Sequence, residues 1–351
     1  MCTNIGATGS SVKQSGKTYI GSVSDDPYDI RTKVVVRRIQ GEFAYIGTHL
    51  SPLGESSSAA DYSDSVSGAP TRGLNEKGLA FTWTLALEKE ENQPCKDAKR
   101  PHDVWAEVMG TCATADEALT LLSRLPRNFA GAGMIADKQG SLILVELGRN
   151  KLEIRERLDS ASGGTGTNVN CWIKMQNSEG DPMVSISNPD VPNQSRFTRS
   201  EKLLSDTEGL IDLSEMIRIL SDHEHRDRFA GDNPWIPGHG YSICNHGSLH
   251  TAEFVSEKPA WGSVSAEVIS PMDDIFWYTY GWPCGESPQH GDQLLQERSW
   301  GHFIGFKLSD LPAGDYTTLT GELTHLALQQ FNRLTLFSGS GDQISAENTS
   351  H

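Results

Sequence analysis

The order of its patterned segments limits the folds open to this chain more than any single motif does. Short β-rich runs come first, then a helical stretch, then strands, helices and strands again. Lys33-Val34-Val35-Val36 and Phe43-Ala44-Tyr45-Ile46 read as paired strands around Gln40-Gly41, after a turn cluster at 25–29. Residues 51–72 are rich in Ser, Gly and Ala and read as loop. A strand over 80–87 follows the turn Leu74-Asn75-Glu76-Lys77-Gly78-Leu79. Residues 103–125 carry helical spacing at Val104, Val108, Ala118, Leu119, Leu121 and Leu122, with a capping box at Thr114-Ala115-Asp116-Glu117. Residues 133–156 read as two strands joined at 137–140, and Leu142-Ile143-Leu144-Val145 is apolar enough to be buried on both faces. Helices are expected over 200–204 and 214–220, and strands over 241–244, 262–269 and 275–280. This order is not a βαβ alternation, so a doubly wound parallel sheet is disfavoured. An α+β sandwich, two antiparallel sheets face to face with helices outside, fits it.

Charge narrows the class of partner. With 30 basic and 46 acidic side chains the formal charge is −16, which argues against nucleic acid or an anionic membrane, since either needs a basic patch. The 351 residues read as one domain over 2–337, followed by a polar, flexible tail over 338–351. No apolar run approaches a membrane span, and no basic and apolar leader opens the chain, so a cytoplasmic protein is expected.

Six cysteines stand at 2, 95, 112, 171, 244 and 284, with no C-x-x-C pair among them. Zinc ribbons, dithiol redox motifs and a disulfide scaffold are therefore disfavoured. His223-Glu224-His225 places its histidines two apart, off a common helix face, and no third ligand stands nearby. Neither a metal nor a cofactor is expected. His239 and His246 flank Tyr241-Ser242-Ile243-Cys244, and one of the two is a secondary candidate for the pocket. Gly163-Gly164-Thr165-Gly166-Thr167 lacks the lysine of a phosphate loop and reads as a turn.

Cys2 differs from the other five by position. Met1 before a small residue is ordinarily trimmed, which would leave Cys2 with a free α-amine. Amine and thiol both titrate near neutrality, at about 8 and 8.5. The amine can take the thiol proton and later return it to a leaving amine, so one residue supplies nucleophile and base.

That start and five further segments form a set. They are Gly21-Ser22-Val23-Ser24-Asp25, Asn75-Glu76-Lys77-Gly78, Thr167-Asn168, Ser195-Arg196-Phe197-Thr198-Arg199, Ser242-Ile243-Cys244 and Met1-Cys2-Thr3 itself. In this order and spacing they resemble the amino-terminal-nucleophile (Ntn) hydrolases. The resemblance is to the choloylglycine hydrolase, penicillin V acylase and acyl-coenzyme A:6-aminopenicillanic acid acyltransferase group, over roughly residues 2–285. It implies a four-layer αββα sandwich and cleavage of a non-peptide amide in a small N-acylated compound through a Cys2 thioester. Acyl transfer to an amine is the alternative, and a non-catalytic binding relative is another.

The resemblance assigns roles residue by residue. Cys2 is the nucleophile, Asp25 orients its amine or thiol, Asn168 donates to the oxyanion and Arg196 balances charge. Asp26 rivals Asp25, Asn170 rivals Asn168, and Arg199 is expected at the surface. Trp83, Thr84, Leu85 and Trp277 are expected at the substrate, with a backbone N–H near Thr84 or Leu85 as second oxyanion donor. Two departures stand out: the bile-salt hydrolases carry an arginine where Ser22 stands and an asparagine near Leu85. The loop over 51–72 is a candidate lid. Homo-oligomers occur among such relatives, so one is possible here.

Overall fold

A computed structural model describes residues 2–14, 16–27, 30–52, 70–86, 97–176, 192–223, 241–246, 261–285, 301–317, 336–337 and 343–344. The strands, in chain order, are β1 (Cys2–Thr8), β2 (Thr18–Pro27), β3 (Ile30–Arg37), β4 (Tyr45–Pro52), β5 (Pro70–Asn75), β6 (Leu79–Ala86), β7 (Ala130–Asp137) and β8 (Leu142–Leu147). They continue with β9 (Leu152–Leu158), β10 (Gly164–Val169), β11 (Trp261–Ser270), β12 (Ile275–Tyr280), β13 (Phe303–Lys307), β14 (Gly314–Thr317), β15 (Leu336–Phe337) and β16 (Gln343–Ile344). The helices are α1 (Pro101–Thr111), α2 (Ala115–Arg124), α3 (Pro192–Asp206) and α4 (Leu213–Leu220).

Two eight-stranded antiparallel sheets result. One runs β10-β1-β2-β11-β12-β13-β15-β16 and the other β14-β3-β4-β5-β6-β7-β8-β9. Three apolar layers hold them. Ile20, Ile269, Phe276 and Tyr278 of the first sheet meet Ile46, Leu74, Met134 and Leu144 of the second. Phe81, Ile135 and Val145 on the outside of the second sheet pack against Trp105, Val108 and Leu122 of α1 and α2. Ile5, Val23 and Val268 on the outside of the first pack against Leu204, Met216 and Leu220 of α3 and α4. The architecture is thus the α+β four-layer αββα sandwich, and period-2 alternation along each strand divides the layers.

Local chemistry explains several elements. Thr114 accepts the Glu117 N–H and opens α2. Asn75 ties the β5–β6 turn to the end of α1. Its amide donates to Met109 and Cys112 carbonyls, and its oxygen accepts from Lys77 and Leu79 N–H. Gly78 closes that turn at φ 80°, a backbone region that favours glycine. All four residues of Leu142-Ile143-Leu144-Val145 are fully buried, two facing each layer.

Several sequence expectations change. Asp25 and Asp26 belong to β2, because their backbones pair with β11 rather than turning. Residues 152–158 form a separate strand beyond the expected pair. The expected loop over 51–72 is strand at both ends, and its middle, 53–69, lies outside the described residues. Residues 241–244 are irregular rather than a strand, and the bonds they make lie outside any ladder. Cys244 N–H donates to Asp222, and the adjacent Asn245 exchanges hydrogen bonds with Ser263. Most of the expected tail also lies outside the described residues, although Gln343 and Ile344 pair with β15.

One irregularity in β11 matters for the site. Ser263 pairs with Asp25 and Ser265 with Ser24, so Val264 is an extra residue in the ladder. The bulge turns Ser263 toward the helix side while Ser265 and Glu267 keep facing the other sheet.

Candidate active site

β1 lies between β10 and β2, and Cys2 sits opposite Ser24 at one end of the interior layer. Its even-numbered residues face the other sheet, where Gly6 leaves room for Leu142 and Met134. Cys2 is 8% exposed and opens onto a small cleft of about 20 Å³. Leu50, Trp83 and Leu85 supply apolar walls, and Asp26, Thr71, Arg72 and Thr84 supply polar ones.

Arg72 is the residue that sequence reasoning missed. It projects from β5 across the gap between the sheets, and Nε donates to Ser22 Oγ at 2.8 Å. Ser22 in turn donates to Asn4 Oδ1 at 2.7 Å. Arg72 Nε also lies 3.4 Å from Glu267 Oε2, both side chains fully buried. Burial opposes its charge, but the adjacent Cys2 sulfur, Glu267 and Asp26 more than offset that and raise its pKa above the ordinary arginine value. Its Nη2 is buried without a hydrogen-bond partner among the described residues. A signal existed in the sequence. Leu74 faces the interior, so Arg72, two residues earlier on the same strand, must face it too.

Asp25 and Asp26 point to opposite sides of β2. Asp26 lines the pocket with Cys2. Asp25 faces α3, where it accepts from Arg196 Nη1 at 2.9 Å and from Ser263 Oγ at 2.8 Å. Burial pushes its carboxyl up to about 6, against the lowering pull of Arg196 and Ser263. The register still places Asp25 one row beyond Cys2, at the amino end of β1.

The two asparagines also separate. Asn168 is opposite Asn4 and donates across the layer to the Gly133 carbonyl at 2.7 Å, away from the pocket. Asn170 Oδ1 accepts the Cys2 backbone N–H, and its Nδ2 donates to Leu85 O at 2.8 Å. Arg199 is mostly buried and makes a two-pronged pair with Asp222 at 3.0 and 2.7 Å, in place of the expected surface position. Trp277 lies on the helix side of β12 with Ile5 and Val23, so it does not reach this pocket. Of the four expected substrate contacts, Trp83, Thr84 and Leu85 line it. His225 and His239 lie outside the described residues. Among the described residues, no helix is long and apolar enough to cross a membrane.

Comparison with known proteins gives a consistent picture. The profile of the acyl-coenzyme A:6-aminopenicillanic acid acyl-transferase family matches residues 28–235. No curated protein sequence matches the chain. A mutant conjugated bile acid hydrolase from Clostridium perfringens is similar in structure, with a TM-score of 0.50 at 14% identity over 90% of this chain and 96% of that one. Penicillin V acylase from Agrobacterium tumefaciens gives a TM-score of 0.43 at 16% identity over 80% and 83%. The Caenorhabditis elegans ortholog of N-acylethanolamine-hydrolyzing acid amidase gives 0.43 at 15% over 77% and 93%.

Proposed function

The chain belongs to the acyl-coenzyme A:6-aminopenicillanic acid acyl-transferase family of the Ntn hydrolases, and on that premise we propose that it cleaves a linear, non-peptide amide through a thioester on Cys2. The observation that carries the reading is Cys2 itself. It stands at the mouth of a pocket that is half apolar, beside a buried guanidinium with a donor to spare.

The reaction needs Met1 removed. The freed Cys2 amine takes the thiol proton, directly or through water, with Asn170 Oδ1 orienting the nitrogen. Sulfur attacks the amide carbonyl and the C=O electron pair moves onto oxygen. Arg72 Nη2 takes the oxyanion role first assigned to Asn168; such a donor is worth about 3 kcal/mol of barrier. Collapse re-forms the carbonyl and breaks the C–N bond, and the leaving amine takes the proton from the Cys2 ammonium. Water then adds to the thioester with the same amine as base, releasing acid and thiol. Asp25, locked by Arg196 and Ser263, holds the charge at the amino end of β1. Leu50, Trp83 and Leu85 receive the acyl chain. The family's own activity favours a second outcome, in which an amine in place of water takes the acyl group.

Intact-mass measurement of the protein from its native host tests the premise, with Met1 expected to be gone. A thiol-alkylating probe should label Cys2 ahead of the other cysteines. Incubation with N-acyl amines, β-lactams and acyl-homoserine lactones, with and without an added amine, then separates hydrolysis from transfer. A retained Met1, or a Cys2 no more reactive than its fellows, would leave a binding protein in place of an enzyme.

A further inference from the structure

Behind the Asp25 row, four side chains from three parts of the chain converge. His223 follows α4, Cys244 and His246 lie on the irregular segment 241–246, and Cys284 lies in the turn after β12. One ligand atom from each, two sulfurs and two imidazole nitrogens, all lie within 4.8 Å of one another. We propose that these four residues hold one zinc-class divalent cation in a closed, tetrahedral site.

The donor set is the first argument. Two thiolates and two imidazoles in tetrahedral reach suit zinc among the common cellular metals. Zinc–sulfur and zinc–nitrogen bonds of about 2.3 and 2.0 Å imply ligand-to-ligand edges of about 3.3–3.8 Å. The observed cluster thus needs side-chain adjustments of about 1 Å or less. His246 Nε2 and Cys284 Sγ are already 3.1 Å apart.

The second argument is that the ligands are held from behind. The His246 ring stacks on Trp282, with centroids 3.9 Å apart and planes 6° apart. The Cys244 N–H donates to Asp222 O, which fixes it against the residue before His223. Cys244 and His246 are fully buried, while His223 and Cys284 are half-buried and give the ion a way in. A disulfide between Cys244 and Cys284 would engage both sulfurs and leave the two imidazoles unexplained, and both cysteines are free in the structure. Four protein ligands fill a tetrahedron, so the ion's role is structural.

The site has a defined output. Asn245, between two of the ligands, exchanges hydrogen bonds with Ser263, whose hydroxyl donates to Asp25. The four ligands are positioning residues that act on Asp25 through this relay. The proposal stands whether or not Cys2 is a nucleophile, since its readout is the metal itself.

Full-length protein stripped with a chelator should take up about one equivalent of cobalt(II), giving tetrahedral ligand-field bands and a thiolate-to-cobalt charge-transfer band. Zinc should displace it. The spectrum should persist in Cys2→Ala, and bound zinc should shield Cys244 and Cys284, not Cys2, from alkylation. Cys284→Ser and His246→Gln should each weaken zinc binding at least ~100-fold. Should both variants fail to fold, the wild-type cobalt spectrum and the alkylation map decide alone. Absence of the charge-transfer band, its loss in Cys2→Ala, or a Cys244–Cys284 disulfide in the native protein would overturn the proposal.

Discussion

The layer between the two sheets has a polar end and an apolar end, built by the same strands. β1 runs from Cys2 and Asn4 to Gly6, β2 from Asp26 and Ser22 back to Ile20, and β11 from Glu267 to Ile269. At the apolar end Phe276, Leu144, Ile46 and Met134 interdigitate. At the polar end Arg72, Glu267, Ser22 and Asn4 are equally buried but joined by hydrogen bonds and one ion pair. Burying such a network costs desolvation that an apolar patch of the same volume would avoid. The contrast teaches that the polar end is not there for stability. On the proposed mechanism, its charges stand where a reacting carbonyl would meet them.

Substitutions can break or sharpen that contrast, and the largest effect is expected at Cys2, the proposed nucleophile. Cys2→Ala should lower kcat/KM by at least ~10⁴-fold with unfolding unchanged, and Cys2→Ser should leave a little. Full activity in Cys2→Ala would remove the functional half of the contrast. Arg72→Met should reduce kcat/KM by ~10²–10³-fold. It should also cost about 3–5 kcal/mol of stability, because Glu267 is left buried and unpaired. Adding Glu267→Gln should recover most of the stability and none of the activity. Recovery of both would make the pair purely structural.

At the opposite end, Leu144→Ala should destabilise by about 2–5 kcal/mol in a denaturant titration. Turnover per folded molecule should hardly move. A matching loss of turnover would mean that the two ends are coupled.

Acid titration separates them more gently. Burial lifts the Asp25 carboxyl to about 6, so the ion pair with Arg196 is lost as pH falls through that value. The rate should then drop about tenfold per pH unit below 6. The stability effect has the opposite sign. An acid whose folded pKa is raised adds stability that is full below its unfolded pKa of about 3.9 and is gone above about 6. A flat rate profile from pH 7 to 5, or an acid limb kept intact in Asp25→Asn, would remove Asp25 from the mechanism. The smallest effect should be at Trp277, where Phe should change kcat/KM by less than about twofold, since the indole lies on the helix side.

Legibility in the sequence followed the same division. The apolar end was readable because Leu142 to Val145 form an unbroken apolar run of the kind a strand buried on both faces requires. Asn75-Glu76-Lys77-Gly78 was readable because a left-handed glycine and a two-way asparagine leave a local signature. The polar end was harder. Arg72 sits beside a stretch with no periodicity, on a short strand whose facing partner comes from β2, fifty residues away. Asp25 and Asp26 looked like turn residues because two adjacent acids before proline usually are, and only the β11 ladder and Arg196 make them strand. That Asn170 and not Asn168 touches Cys2 depends on β10 ending at Val169, which releases the next residue toward Cys2. The cysteine–histidine cluster was unreadable for a related reason: its ligands arrive from three segments far apart in the chain.

The bulge at Val264 gives β11 two reading frames. From Ser265 onward its odd-numbered residues look into the sandwich, and before Val264 the odd-numbered Ser263 looks out toward α3. Were the ladder to run regularly through Val264, with that residue opposite Asp25, the whole strand would be in a single phase. Ser263 would then turn inward and Asp25 would lose its hydroxyl donor, although no side chain at the pocket had been altered. One inserted amino acid thus serves as a mechanical clutch, engaging the outer helical layer with the strand that neighbours Cys2.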